Sequence, residues 1–225
     1  MGDEYASMKR RVARWAVEQV DDGMVVGLGT GSTTAFAIDE LGKRVDAGLA
    51  IEGIPTSHAS RDRAIDAGIT MTSLDEVTTV DVAIDGADQV CDTVLLKGGG
   101  GAHTRERVID ASADRFIVVV DERKVSTKLD GHVALEVLPE AIPSVLSGID
   151  TLGGKSTIRT STTTDGPAYT ERGNLLVDAD FGVIERPETL ANELWATPGV
   201  LDHGLFIGVA DVIAIGKADG VELLE

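Results

Sequence analysis

The chain has 225 residues, 43% of them apolar, enough to bury one large core or two modest ones. Its net charge of −18, from 38 acidic against 20 basic residues, repels nucleic acid and anionic membranes. No run of about 18 apolar residues offers a membrane span, and the single cysteine, Cys91, excludes an intramolecular disulfide or a cysteine-based zinc cluster. The start of the chain is polar and lacks the apolar stretch of a signal peptide, so the expectation is a cytoplasmic protein. Lysines are scarce: Lys9, Lys43, Lys97, Lys124, Lys128, Lys155 and Lys217 stand against thirteen arginines. Acid-rich, lysine-poor composition suits a salty cytoplasm.

Met8, Val12, Trp15, Ala16 and Val20 recur at steps of three and four, which predicts an amphipathic helix over 5–20. A buried strand over 24–26 runs into Gly27-Leu28-Gly29-Thr30-Gly31-Ser32-Thr33, and a helix follows over 33–45. Strand 49–54 closes at Pro55-Thr56-Ser57, with a helix through Ala67 and Gly68 as its C-cap. Strand 80–84 ends in Asp85-Gly86-Ala87-Asp88. Strand 94–96 precedes Lys97-Gly98-Gly99-Gly100-Gly101, and a helix runs over 102–111. Strand 116–120 ends at Asp121. Strands apolar on both faces, alternating with helices, indicate a mostly parallel, Rossmann-like α/β sheet covered by helices on both faces. Ligands of such sheets sit beyond the carboxyl ends of the strands.

After about Gly131 the pattern changes. Strands over 133–137, 156–162 and 175–179, helical pieces over 142–147 and 187–196, and threonines clustered over 157–164 read as a smaller inserted α+β domain. The tail, 212–215 and 221–224, reads as a hairpin or returning edge strand. The expected division is 1–131 with 206–225 for the larger domain and 132–205 for the smaller.

The glycine loop at Gly27 lacks the third glycine of a dinucleotide fingerprint and the Lys-Ser/Thr pair of a P-loop. Its hydroxyls at a helix start make a cradle for phosphate or sugar hydroxyls, or a capping turn with no ligand. Asp85 and Asp88 flank a turn, where they can face one ligand or cap locally. Four consecutive glycines between a strand and a helix expose backbone N–H groups, with Lys97 at one end and Glu106 beyond the other. A carboxylate, a cation and bare N–H donors suit proton abstraction beside a carbonyl; a Schiff base at Lys97 is the alternative chemistry. The histidines show no paired spacing and no further carboxylate stands at ligand spacing, so metal binding is the least favoured reading.

Taken in order, Gly29-Thr30-Gly31-Ser32-Thr33, Gly53-Ile54-Pro55-Thr56-Ser57, Asp85-Gly86-Ala87-Asp88, Lys97-Gly98-Gly99-Gly100-Gly101-Ala102 with Arg105-Glu106, and Gly204-Leu205-Phe206 resemble the type A ribose-5-phosphate isomerases over nearly the whole chain. The resemblance implies cofactor-free interconversion of D-ribose 5-phosphate and D-ribulose 5-phosphate by a dimer or tetramer. It implies Glu106 as the base, moving a proton between C2 and C1 through an enediolate. Asp85 and Lys97 would help ring opening and stabilise charge. Thr30, Gly31, Ser32, Thr33, Asp85, Gly86, Ala87, Asp88, Lys97, Gly98, Gly99, Gly100 and Lys124 match the family's substrate-contacting positions. Two departures stand out: Gln89 where the family commonly has glutamate, and Glu171-Arg172-Gly173-Asn174 where it usually has Asp-Asn-Gly-Asn. A sugar-phosphate-sensing module without catalysis is the alternative from another class; it would need no Glu106.

Overall fold

The computed structural model describes residues 2–163 and 165–224; Met1 and Glu225, at the ends of the expected larger domain, and Thr164, at the end of the threonine cluster, lie outside the described residues. In chain order the elements are α1 (Gly2–Val17), β1 (Val25–Leu28), α2 (Ser32–Asp46), β2 (Glu52–Pro55), α3 (His58–Asp66), β3 (Thr70–Met71), β4 (Val82–Asp85), β5 (Gln89–Cys91), β6 (Val94–Leu96), α4 (His103–Ala111) and β7 (Phe116–Asp121). Then follow β8 (Val133–Val137), α5 (Ile142–Thr151), β9 (Lys155–Ile158), β10 (Leu175–Asp180), α6 (Pro187–Trp195), β11 (Val200–His203), β12 (Leu205–Ile207), β13 (Val212–Gly216) and β14 (Val221–Leu224). Two compact units emerge: Met1–Ala87, Arg105–Val125 and Val209–Glu225 form one, Asp88–Thr104 and Ser126–Gly208 the other.

The first unit holds a seven-stranded sheet in the order β14-β13-β7-β4-β1-β2-β3. It is parallel except at its edge, where β14 runs antiparallel to β13. Its central strands are apolar on both faces, as the runs Val-Ala-Ile and Phe-Ile-Val-Val-Val require of a sheet covered twice. Val12, Val17, Ile38 and Leu41 from α1 and α2 pack with Val26, Leu28, Ile84 and Val119 on one side. Ile109 of α4 packs with Ile54 and Val80 in a separate cluster.

The second unit contains a four-stranded antiparallel sheet, β11-β8-β10-β9, and a three-stranded one, β12-β6-β5. Its core joins Leu135, Val137, Val177 and Leu205 to Val145 and Ile149 of α5 and Leu194 of α6. Here the structure corrects two expectations. Strand 94–96 does not join the parallel sheet; β6 pairs antiparallel with β5 and β12, which places Asp88–Thr104 in this unit. The strand expected over 156–162 ends at Ile158. Past it the Ala168 N–H donates to the Arg159 carbonyl (2.7 Å) and the Ser161 N–H to the Gly166 carbonyl (3.0 Å).

Candidate active site

In the first unit the expected groups gather at the carboxyl ends of β1, β4 and β7. β1 runs into the turn that opens α2; the N-cap Gly31 and the first helical residue Ser32 are exposed, and Thr33 is buried. Among the described residues no side chain caps this helix start. Its first N–H groups and the positive end of its dipole therefore suit an anion. Thr30 is fixed from two sides: its Oγ1 lies 2.7 Å from both Thr56 Oγ1 and Ser57 Oγ, just past β2, and its N–H donates to Asp85 Oδ1 at 3.0 Å. Asp85 ends β4 fully buried, and the Gly86 N–H also donates to its Oδ1, at 2.7 Å. This close approach needs Gly29, where a Cβ would fall 2.1 Å from Asp85 Oδ1.

One group here was not foreseen. Lys9 of α1 donates from Nζ to Ser32 Oγ at 2.7 Å. Its ammonium also lies 3.9 Å from the buried carboxylate of Asp121, which ends β7. Burial pushes that carboxyl up, but hydrogen bonds and charge from Arg123, with the charge of Lys9, outweigh it and hold the Asp121 pKa below the ordinary value. Arg123 in turn stacks on Tyr5, 3.7 Å from the ring centroid. No local motif marks Lys9: it lies 23 residues before its partner on an ordinary amphipathic helix. Lys124 closes the short 3-10 turn that follows β7 and is half-buried.

Glu106 lies in the first turn of α4, where the helix dipole favours an ionised carboxylate, and is buried at 5% exposure. Arg105 beside it donates from Nε to the Pro55 carbonyl at 2.9 Å and ties α4 to the end of β2.

In the second unit Lys97 follows β6 directly and is 3% exposed. Its N–H donates to the Gly204 carbonyl at 2.8 Å, and its Nζ stands 5.4 Å from the centroid of the buried Phe206 ring. The glycine run is less bare than expected. The Gly99 N–H donates to Asp88 Oδ2 at 2.7 Å, and the Gly101 N–H to the Gly98 carbonyl at 3.0 Å. Asp88 itself is exposed, and its N–H donates to the Leu96 carbonyl at 2.7 Å. So Asp85 with Thr30, and Asp88 with Gly99, are each brought together within one unit.

Behind the run lies a buried carboxylate that sequence reasoning missed. Glu136 of β8 accepts from Thr104 Oγ1 at the start of α4, from Thr170 Oγ1 (2.9 Å) and from Asn174 Nδ2 (2.7 Å). Burial drives its pKa up, but these three bonds and the neighbouring charge of His103 outweigh burial, and the net shift is downward. The Cys91 thiol is raised by burial first and by Asp92 and Asp130 next, which argues against a nucleophilic role. Among the described residues no group of three or more His, Cys, Asp or Glu is arranged to hold a metal ion, and no helix is long and apolar enough to cross a membrane.

Residues 52–220 match the family model described as ribose 5-phosphate isomerase A (phosphoriboisomerase A). The chain is 54% identical over 217 residues to the ribose-5-phosphate isomerase A of Natronomonas pharaonis, covering 96% of each chain. It is 53% identical to that of Halobacterium salinarum, covering 97% of this chain and 96% of that one. Among solved structures, a D-ribose-5-phosphate isomerase in complex with phospho-erythronic acid matches with a TM-score of 0.95 at 40% identity, over 97% of this chain and 98% of that one. The ribose 5-phosphate isomerase A of Methanocaldococcus jannaschii matches with a TM-score of 0.93 at 41% identity, with the same coverage.

Proposed function

The chain belongs to the ribose 5-phosphate isomerase A family, and from that premise we propose that it interconverts D-ribose 5-phosphate and D-ribulose 5-phosphate, with Glu106 as the proton-transferring base. The observation that carries the residue assignment is the buried Glu106 carboxylate in the first turn of α4. Once the sugar ring is open, Glu106 takes the proton from C2, and the electron pair moves to form a C1–C2 double bond while the C1 oxygen gains charge and then takes up the proton that the C2 hydroxyl gives up. Glu106 returns its proton to C1 as the C2 hydroxyl becomes the ketone. Protons and electrons balance within the substrate and one carboxyl group.

The remaining assignments follow the chemistry of each group. Lys97 supplies a buried positive charge for the enediolate oxygens. Asp85, held rigidly by the Thr30 and Gly86 N–H groups, assists proton movement during ring opening. Asp88 and the glycine run contact sugar oxygens. The exposed start of α2 with Thr30, Ser32 and Thr33, together with Lys9 and Lys124, holds the phosphate: it combines a helix N-terminus, hydroxyl donors and local cations in a strongly acidic chain. The related isomerase solved with phospho-erythronic acid supports this scheme, because that compound joins a phosphate to a planar carboxylate shaped like the enediolate's paired oxygens.

The test is a coupled assay on ribose 5-phosphate with wild type and Glu106→Gln. The variant is expected to lose isomerisation while its affinity for the substrate stays near wild type. Turnover near the wild-type rate would remove Glu106 from the role.

A further inference from the structure

We propose that Arg159, which no sequence motif pointed to, is a positioning residue that sets the peptide planes of the glycine run and through them aims the Asp88 carboxylate. The inference rests on reading Asp88 and the run after Lys97 as substrate-contacting groups. Arg159 follows β9 directly. Its Nε donates to Asp178 Oδ2 at 2.8 Å and its Nη2 to Asp178 Oδ1, a two-point grip by a residue of β10 that fixes the guanidinium plane. The remaining nitrogen, Nη1, donates to the Gly98 carbonyl at 2.9 Å and to the Gly99 carbonyl at 3.1 Å.

A trans peptide points its C=O and the following N–H in opposite directions. Holding the Gly98 carbonyl toward Arg159 therefore turns the Gly99 N–H away from it, and that N–H donates to Asp88 Oδ2 at 2.7 Å. Holding the Gly99 carbonyl turns the Gly100 N–H away in the same manner. Glycine at 99 is what permits the contact, since a Cβ there would lie 2.8 and 2.9 Å from the two Asp88 carboxylate oxygens. The relay runs Asp178, Arg159, the Gly98 and Gly99 peptides, Asp88, and every member lies in the second unit. All three guanidinium nitrogens bond to protein atoms, so the role runs through the loop rather than through the substrate. A lysine would keep the charge but not the planar fork that holds a carboxylate and two carbonyls together.

Isomerase kinetics and melting curves of Arg159→Ala, Arg159→Lys, Asp88→Ala and the Asp88→Ala/Arg159→Ala double variant test this. Arg159→Ala is expected to lower kcat about 10- to 100-fold through misplacement of groups at the reacting end. KM should move less than about threefold, as for a group that does not bind substrate directly. Arg159→Lys should fail to rescue, and added guanidinium should restore part of the Arg159→Ala rate. In the Asp88→Ala background, removing Arg159 should cost no more than about twofold further, because the two act in series. Wild-type kcat in Arg159→Ala, a loss carried by KM alone, full rescue by lysine, or additive losses in the double variant would each overturn the proposal. Should Arg159→Ala fail to fold, the lysine variant is read by the same kinetic criteria. Unimpaired Asp88→Ala would overturn the reading of Asp88 itself, whereas impaired Asp88→Ala beside unaffected Arg159→Ala defeats this inference alone.

Discussion

Lys97 is buried, with its backbone bonded to Gly204 and its ammonium over the Phe206 ring. An ammonium held in place before any charge develops needs no reorganisation when the enediolate forms, which is where such a group does most for the rate. Lys97→Ala is expected to lower kcat by about 10²-fold or more, the scale of a lost oxyanion donor. A change confined to KM would reassign Lys97 to binding the ground state. Lys97 and Glu106 stood out as candidates because they flank an unusual glycine run in the sequence. Lys9 and Arg159 were not, because their partners Ser32 and Gly98 lie 23 and 61 residues away and only the fold brings them together. The departure at Gln89 gains a physical account. Its Nε2 donates to Asp130 Oδ1 (2.8 Å) and the Lys128 carbonyl (3.1 Å), while its Oε1 accepts from the Asp130 and Gly131 N–H groups (3.1 and 2.9 Å). Only an amide offers both a donor and an acceptor there; a glutamate would set two carboxylates against each other.

At the scale of elements, the apolar runs of β1, β4, β7 and β13 announced themselves, because a strand covered on both faces has no polar positions to blur its pattern. β5, β11 and β12 did not: each has three or four residues, and tertiary pairing rather than local preference makes them strands. The same applies to Glu136. In sequence it is one polar residue inside an apolar strand; in the fold it joins β8 to the start of α4 through Thr104 and to the 170–174 turn through Thr170 and Asn174. The second departure from the family pattern, Glu171-Arg172, falls on the exposed tip of that turn, while Asn174 keeps the bond to Glu136. Because the folded Glu136 pKa lies below its ordinary value of 4.5, its contribution is full above that pH and is lost as pH falls through the folded pKa. Glu136→Gln is expected to cost about 1.5–3 kcal/mol at pH 7, the range for hydrogen bonds to a charged group. Melting midpoints of the two proteins measured from pH 7 to pH 3 should draw together as the pH falls below 4.5. A gap that stays constant across that range would show that the ionised carboxylate is not what holds these elements.

For the whole molecule, the excess of acidic over basic residues sets two opposing demands. The protein must stay folded against its own net charge of −18, and its proposed substrate is itself a phosphate anion. Under the proposed assignment the second demand is met locally, by Lys9 of α1, which bonds Ser32 at the start of α2, and by Lys124 after β7. The first demand falls on the solvent, because exposed pairs such as Arg63–Asp39 (2.7 Å) contribute at most about 1 kcal/mol each in water. Salt shortens the reach of repulsion from about 10 Å at 0.1 M to about 3 Å at 1 M, and so relieves the folded state more than the expanded chain. The Arg123–Asp121 pair, whose carboxylate is enclosed although its guanidinium is exposed, is screened less than a pair exposed on both sides. Salt should therefore remove the penalty while weakening such half-enclosed contacts less than the exposed ones, and the melting midpoint should climb as KCl rises from low to molar concentration. An equal midpoint at both ends of that series would mean that the acidic surface places no load on the fold, and the charge of the chain would then need another explanation.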